Sequence, residues 1–100
     1  MALIRVTASQ LRAKAEELTG LNRQFDSQTG ELEVCEQKLS AMWEGQAKET
    51  FHQAFARDRI QMANFSALID KYVSTLLAIA AKYERAEQAN IQTASARNYQ

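Results

Sequence analysis

There is no proline in these 100 residues, and only three glycines interrupt them. Proline breaks a helix interior and glycine is the next costliest residue there, so the usual helix breakers are nearly missing. Ala, Gln, Glu, Lys, Arg and Leu fill the chain instead, and they lose little side-chain entropy in a helix. An all-α fold is the consequence. Cysteine is as scarce: Cys35 stands alone, so no disulfide can close within the chain, and its place in a helical pattern makes it a small apolar filler. Charge of one sign is also lacking, because 12 basic and 12 acidic residues cancel. That removes the electrostatic footprint of a nucleic-acid partner and argues against strong binding to an anionic membrane surface.

A long apolar run is missing too. Residues 73–81 are the most apolar stretch, but Ser74 and Thr75 interrupt it and it falls short of the roughly 20 residues a membrane span requires. At the N-terminus, Arg5 sits inside the only apolar run and no small-residue cleavage site comes after it. A cleavable secretory signal is therefore not expected, and secretion would need another route. The length is that of one domain. A chain this short buries only about 60–65% of its unfolded surface, so an uncovered apolar face is hard to offset.

The pattern that is present begins at Thr7. Gln10 stands at capping-box spacing from it, and Val6 and Leu11 sit where a hydrophobic staple would. Leu11, Leu18, Phe25, Leu32 and Leu39 then recur every seven residues, with Ala15, Leu21, Cys35 and Met42 read as a second core row. The first helix spans about residues 8–41 on this reading, weakened at Gly20 and Gly30. A second run, Phe51, Phe55, Asp58, Met62, Phe65, Ile69, Tyr72, Leu76, Ile79, Tyr83 and Ala86, alternates steps of four and three and predicts a helix over about residues 46–88. Asp58 is its one polar member, read as a register device or a rim position. A tail over residues 83–100 carries Ser95, Arg97 and Asn98 and is expected to fray.

Between the runs lies the turn at Trp43-Glu44-Gly45, within residues 42–46. A short connection makes the helices antiparallel neighbours and pairs residues whose numbers sum to about 90: Leu39 with Phe51, Phe25 with Phe65, Leu11 with Ile79. The last partner of the first helix then falls near Lys82, leaving Tyr83 and the residues beyond it as an overhang. Apolar residues of the second helix spread over about 180° of its circumference, more than one partner helix covers. Leu68, Val73 and Leu77 are left for a second copy, and two hairpins on a two-fold axis make a four-helix bundle. A heterologous partner of similar shape satisfies the same physics.

In length, in the central Trp43-Glu44-Gly45 between two long helices, and in Tyr83-Glu84-Arg85-Ala86-Glu87 near the C-terminus, the whole chain resembles the WXG family, the early-secreted-antigen-like proteins of about one hundred residues. The resemblance implies an antiparallel hairpin dimer, of itself or with a related family member. It also implies export in folded form by a type VII secretion system through a motor ATPase, as a secreted effector or as a carrier for co-secreted cargo. Tyr83 and Glu87 match the family's Tyr-x-x-x-Asp/Glu export signal. In a head-to-tail dimer, Trp43 and Gly45 of one subunit would lie beside Tyr83 and Glu87 of the other, a signal completed only by assembly.

Read from the residues alone, Trp43 shields the last core layer while remaining available for recognition, and Gly45 answers a backbone need, either positive φ or close approach. Tyr83 lies on the seam, with Glu87 one turn on along the same face. His52 has Lys48 and Ala56 at its helical neighbours, so no metal site is expected. Glu16, Glu17, Glu31, Glu33 and Glu36 read as a solvated face, because a slim bundle offers no cavity to separate their pKa values. No catalytic site, cofactor or enzyme activity is expected. Two rival functions are a cytoplasmic coiled-coil adaptor, in which Trp43 and Tyr83 only pack, and a membrane-active effector, in which an opened dimer inserts its broad second-helix face.

Overall fold

The computed structural model describes the backbone over residues 6–98 and the side chains over residues 6–92; the N-terminal residues 1–5 and the side chains of Ser95, Arg97 and Asn98 lie outside the described residues. Two helices account for the fold: α1, Ala8–Met42, and α2, Gln46–Asn98. Thr7 is extended and starts α1 with a full capping box, its hydroxyl accepting from Gln10 N and the Gln10 side chain accepting from Thr7 N. α1 passes unbroken through Gly20 and Gly30. α2 does not stop near Gln88 but continues to Asn98, since nothing after Gln88 is a strong helix breaker. The result is a rod 84 Å long and 23 by 22 Å across.

The helices meet along smaller or more polar residues than the heptad reading places there. α1 buries Ala8, Ala15, Asn22, Thr29 and Glu36, one residue per heptad. α2 answers with Ser66 and Ala80 buried and with Arg59 and Val73 half-buried on the same row. Among the described residues no large side chain is fully buried. Small side chains allow the helix backbones to approach closely, and the aromatic pair with Leu18, Leu21 and Ile69 lies on one flank of the seam, Leu77 on the other. Phe25 does meet Phe65, edge to face at 5.4 Å between ring centroids, but as a flanking contact.

Three expectations are corrected by this geometry. Leu21, Cys35 and Met42 are not a core row: all are exposed, Met42 at 84%, because the row facing α2 lies one residue later. Asp58 is exposed for the same reason, as at a rim and not in a register layer, and Arg59 takes the seam position. Glu36 is not on a solvated face; it is 6% exposed and held between helices.

The flank opposite the aromatic pair is polar and fixes the register. Arg12 pairs with Glu84, Asn22 donates both amide hydrogens, to Ser66 O at 3.0 Å and Asp70 Oδ1 at 3.0 Å, and Arg59 Nε donates to Glu33 Oε2 at 2.9 Å. Nearest the turn, Glu36 Oε1 accepts from His52 Nδ1 at 2.6 Å and from the Ser40 hydroxyl at 2.9 Å. The His52 hydrogen bond holds the Glu36 carboxyl below the usual carboxylate range, against the opposing effect of burial, with smaller help from Ser40, from the charge of His52 and from Lys48.

Two outcomes test this seam. Ala15→Leu, at a position 1% exposed, should cost about 1–3 kcal/mol in urea unfolding through overpacking; an unchanged midpoint would mean the helices do not meet there. A carboxyl held low when folded stabilises the fold above its unfolded pKa and loses that contribution as pH falls through the folded value. Wild-type protein should therefore shed stability on acidification through a component that Glu36→Gln lacks, and His52→Ala should raise the Glu36 pKa in a carboxyl NMR titration.

Candidate functional site

The candidate residues fall at the two ends of the rod. At the closed end, Trp43 is the C-cap of α1, extended at φ −128° and ψ 134°, and half-buried. Its indole lies 5.8 Å from the Phe51 ring at a tilt of 51°, so it covers the last layer while part of it stays in solvent. Gly45 has φ +110°, and a Cβ added there would meet nothing within 4 Å. The glycine thus answers a conformational need, the sharp reversal before α2, rather than a close approach.

At the open end, Tyr83 is 43% exposed and flanks the seam. Glu87 is in the next turn, but it does not overhang: its Oε1 accepts from Ala8 N at 3.2 Å, and Arg12 Nε donates to Glu84 Oε1 at 2.9 Å. Contacts between the helices therefore reach Glu87, past the expected last partner at Lys82. The overhang begins only after it, where Ile91 is 60% exposed. α1 reaches further along α2 than residue pairing alone implies because the polar flank sets the register.

Within one chain the two halves of the candidate signal stay apart. Trp43 and Gly45 are together at the turn, Tyr83 and Glu87 are together at the other end, and some 55 Å of α2 separates them at 1.5 Å per residue. Sequence reading misses the Glu36–His52–Ser40 cluster, since it compares His52 only with neighbours on its own helix. Once Phe25 and Phe65 are paired, the antiparallel alignment brings Glu36 opposite His52, and that alignment is the signal that could have found the cluster.

Leu68, Val73 and Leu77 do not share one face with the aromatic pair. Val73 and Leu77 line a groove with Ala15, Thr19 and Gly20, while Phe65 and Ile69 line a cleft with Leu18, Leu21, Asn22 and Phe25 on the other side. Leu68 points about 200° round α2 from Ser66 and the seam. Among the described residues no group of three or more His, Cys, Asp or Glu is placed to hold a metal ion, and no helix is long and apolar enough to cross a membrane.

Comparison with known proteins agrees with this architecture. No curated protein matches the sequence. Among solved structures, the secreted protein EsxB of Bacillus anthracis str. Sterne superposes with a TM-score of 0.77 at 23% identity, covering 87% of this chain and 99% of its own. The wild-type form of that protein in space group P21 gives 0.74 at 24% identity over 83% of this chain and 89% of its own. Likeness at that identity establishes the shared hairpin. The sequence profile described as proteins of 100 residues with WXG matches residues 3–88, a span that holds the turn, both interacting helix faces and the Tyr83–Glu87 pair, and the chain belongs to that WXG100 family.

Proposed function

We propose that the protein is a non-enzymatic substrate of a type VII secretion system, exported as a folded helical dimer to act as a secreted effector or as carrier for a co-secreted partner. The observation that carries this reading is the placement of Tyr83 and Glu87 one turn apart at the open end of a WXG100 hairpin. A Tyr-x-x-x-Glu pair on continuous helix presents ring and carboxylate as a rigid unit that a receptor on the motor ATPase can grip. Membership of the family and the likeness to a secreted protein support the same destination.

The dimer rests on surface arithmetic. The hairpin exposes 8211 Å², whereas a compact monomer of its mass exposes about 5,700 Å². The excess is of the size that tightly associated subunits bury together. Much of it is apolar and continuous: Leu21 and Phe65 are 54% and 51% exposed beside the cleft, and Tyr72 and Ile79 extend the Phe65 row at seven-residue spacing. This flank is the better two-fold interface, because the opposite one already spends its side chains on the polar contacts between helices. Leu68, Val73 and Leu77 then remain for a partner other than the second copy. In an antiparallel dimer the Trp43 turn of one subunit lies beside the open end of its partner, which would complete a two-chain signal.

Sedimentation should show a dimer for the wild type, and Leu21→Glu should shift it toward monomer without loss of helical circular dichroism; a monomeric wild type would refute the assembly. In a strain carrying a type VII system, Tyr83→Ala and Glu87→Ala should each leave the protein in the cells. Undiminished secretion of both variants would sink the export reading.

A further inference from the structure

The first turn of α1 contains no acidic residue of its own. A helix N-terminus carries a partial positive charge and unsatisfied N–H groups, and a carboxylate is what it ordinarily recruits. Thr7 serves Gln10 N, while Ala8 N, at the first helical position, is served by Glu87 from the other helix. Ala8 is 3% exposed, so water has little access to take Glu87's place. Arg12 holds Glu84 one turn nearer the hinge. The open end of the hairpin is closed by a clasp whose outer member is the carboxylate of the Tyr83–Glu87 pair.

We infer that Glu87 is shared between the N-terminus of α1 and the export receptor, so that a receptor gripping the carboxylate must take it from Ala8 and thereby unfasten the open end. This rests on the export reading of Tyr83 and Glu87. The chemistry of the receptor is set by the competition. One N–H and a fractional dipole charge are displaced readily by a full cation that binds both oxygens, and an arginine guanidinium offers that geometry where a lysine ammonium does not. The receptor pocket for Glu87 is thus built on arginine. Tyr83, which flanks the seam half in solvent, is placed to engage first and hold the receptor while the carboxylate changes partner.

Ala8→Pro separates the two roles without touching the motif, because proline suits the first helical position and has no N–H to donate. Ser9→Glu is a second route, giving α1 a first-turn acid of its own. In the intact dimer, Glu87→Ala should speed exchange of the Ala8 amide by about two- to fivefold, the range expected for one charge at a helix end. An unchanged rate would overturn the clasp, whatever the export result. With the secretion machinery limiting, Ala8→Pro and Ser9→Glu should be secreted at or above the wild-type rate. Slower secretion of both, at wild-type helicity and dimer mass, would overturn the competition. Faster Ala8 exchange together with normal secretion of Glu87→Ala would refute the export role of Glu87, and the shared carboxylate with it, while leaving the contact in place.

Discussion

Close approach of α1 and α2 along Ala8, Ala15, Asn22, Thr29 and Glu36 constrains everything else in the molecule. A helix pair that meets on alanine and short polar side chains cannot also enclose leucine and phenylalanine, so Leu21, Phe65, Tyr72 and Ile79 are driven to the surface of the rod. The hydrophobic effect, at about 25 cal/mol per Å² of apolar area, is therefore left largely unused within one chain. The hairpin interface supplies alignment, and further burial is left for the proposed second chain to supply. In the proposed assembly the order matters: the apolar flank spans both helices only once the seam has set them in register.

Alignment in turn depends on polar groups. Asn22 spends both amide hydrogens on Ser66 and Asp70, and because both partners are acceptors its orientation is fixed. Its Oδ1 is buried without a hydrogen-bond partner, a cost of about 1–3 kcal/mol. An apolar residue at position 22 would avoid that cost but would let α1 slide. Exposed ion pairs such as Arg12–Glu84 contribute little energy individually; their value here is that each has its partner in only one register. Glu36, buried against His52 and Ser40, closes the series beside the turn.

Much of this is legible in the sequence, and the failures share one cause. Heptad periodicity locates both helices, Trp43-Glu44-Gly45 locates the reversal, and the pairing of Phe25 with Phe65 holds. What periodicity cannot fix is which of two adjacent rows faces inward when one row is large and apolar and the other small. Hydrophobicity favours Leu21, Cys35 and Met42 as core beside Ala15, yet the seam keeps only Ala15 of these and adds Asn22, Thr29 and Glu36, with Asn22 and Glu36 hydrogen-bonded across it. Asn, Thr and Glu carry no apolar signal, so that choice is visible only when both helices are aligned. At the candidate site, the motif picks out Tyr83 and Glu87, whereas the Glu87 contact with Ala8 depends on register to within a turn and is beyond reach of pattern alone.

Register is also what gives the open end its chemistry. A slip of one heptad, about 10.5 Å along α2, would set Ala80 or Ala94 opposite the start of α1 in place of Glu87, leaving the Ala8 amide without a carboxylate. In the second case Leu77 would stand where Asp70 now accepts from Asn22, and in the first Leu77 would stand where Glu84 now meets Arg12. Each misalignment loses polar contacts along the rod and the clasp at its end together. The state of the Glu87 carboxylate, engaged or free, is therefore coupled to the packing of a seam that begins about 40–50 Å away at Glu36 and His52, counted at 1.5 Å per helical residue. The proposed receptor, in reading one turn of α2, would in physical terms sample the alignment of the whole hairpin.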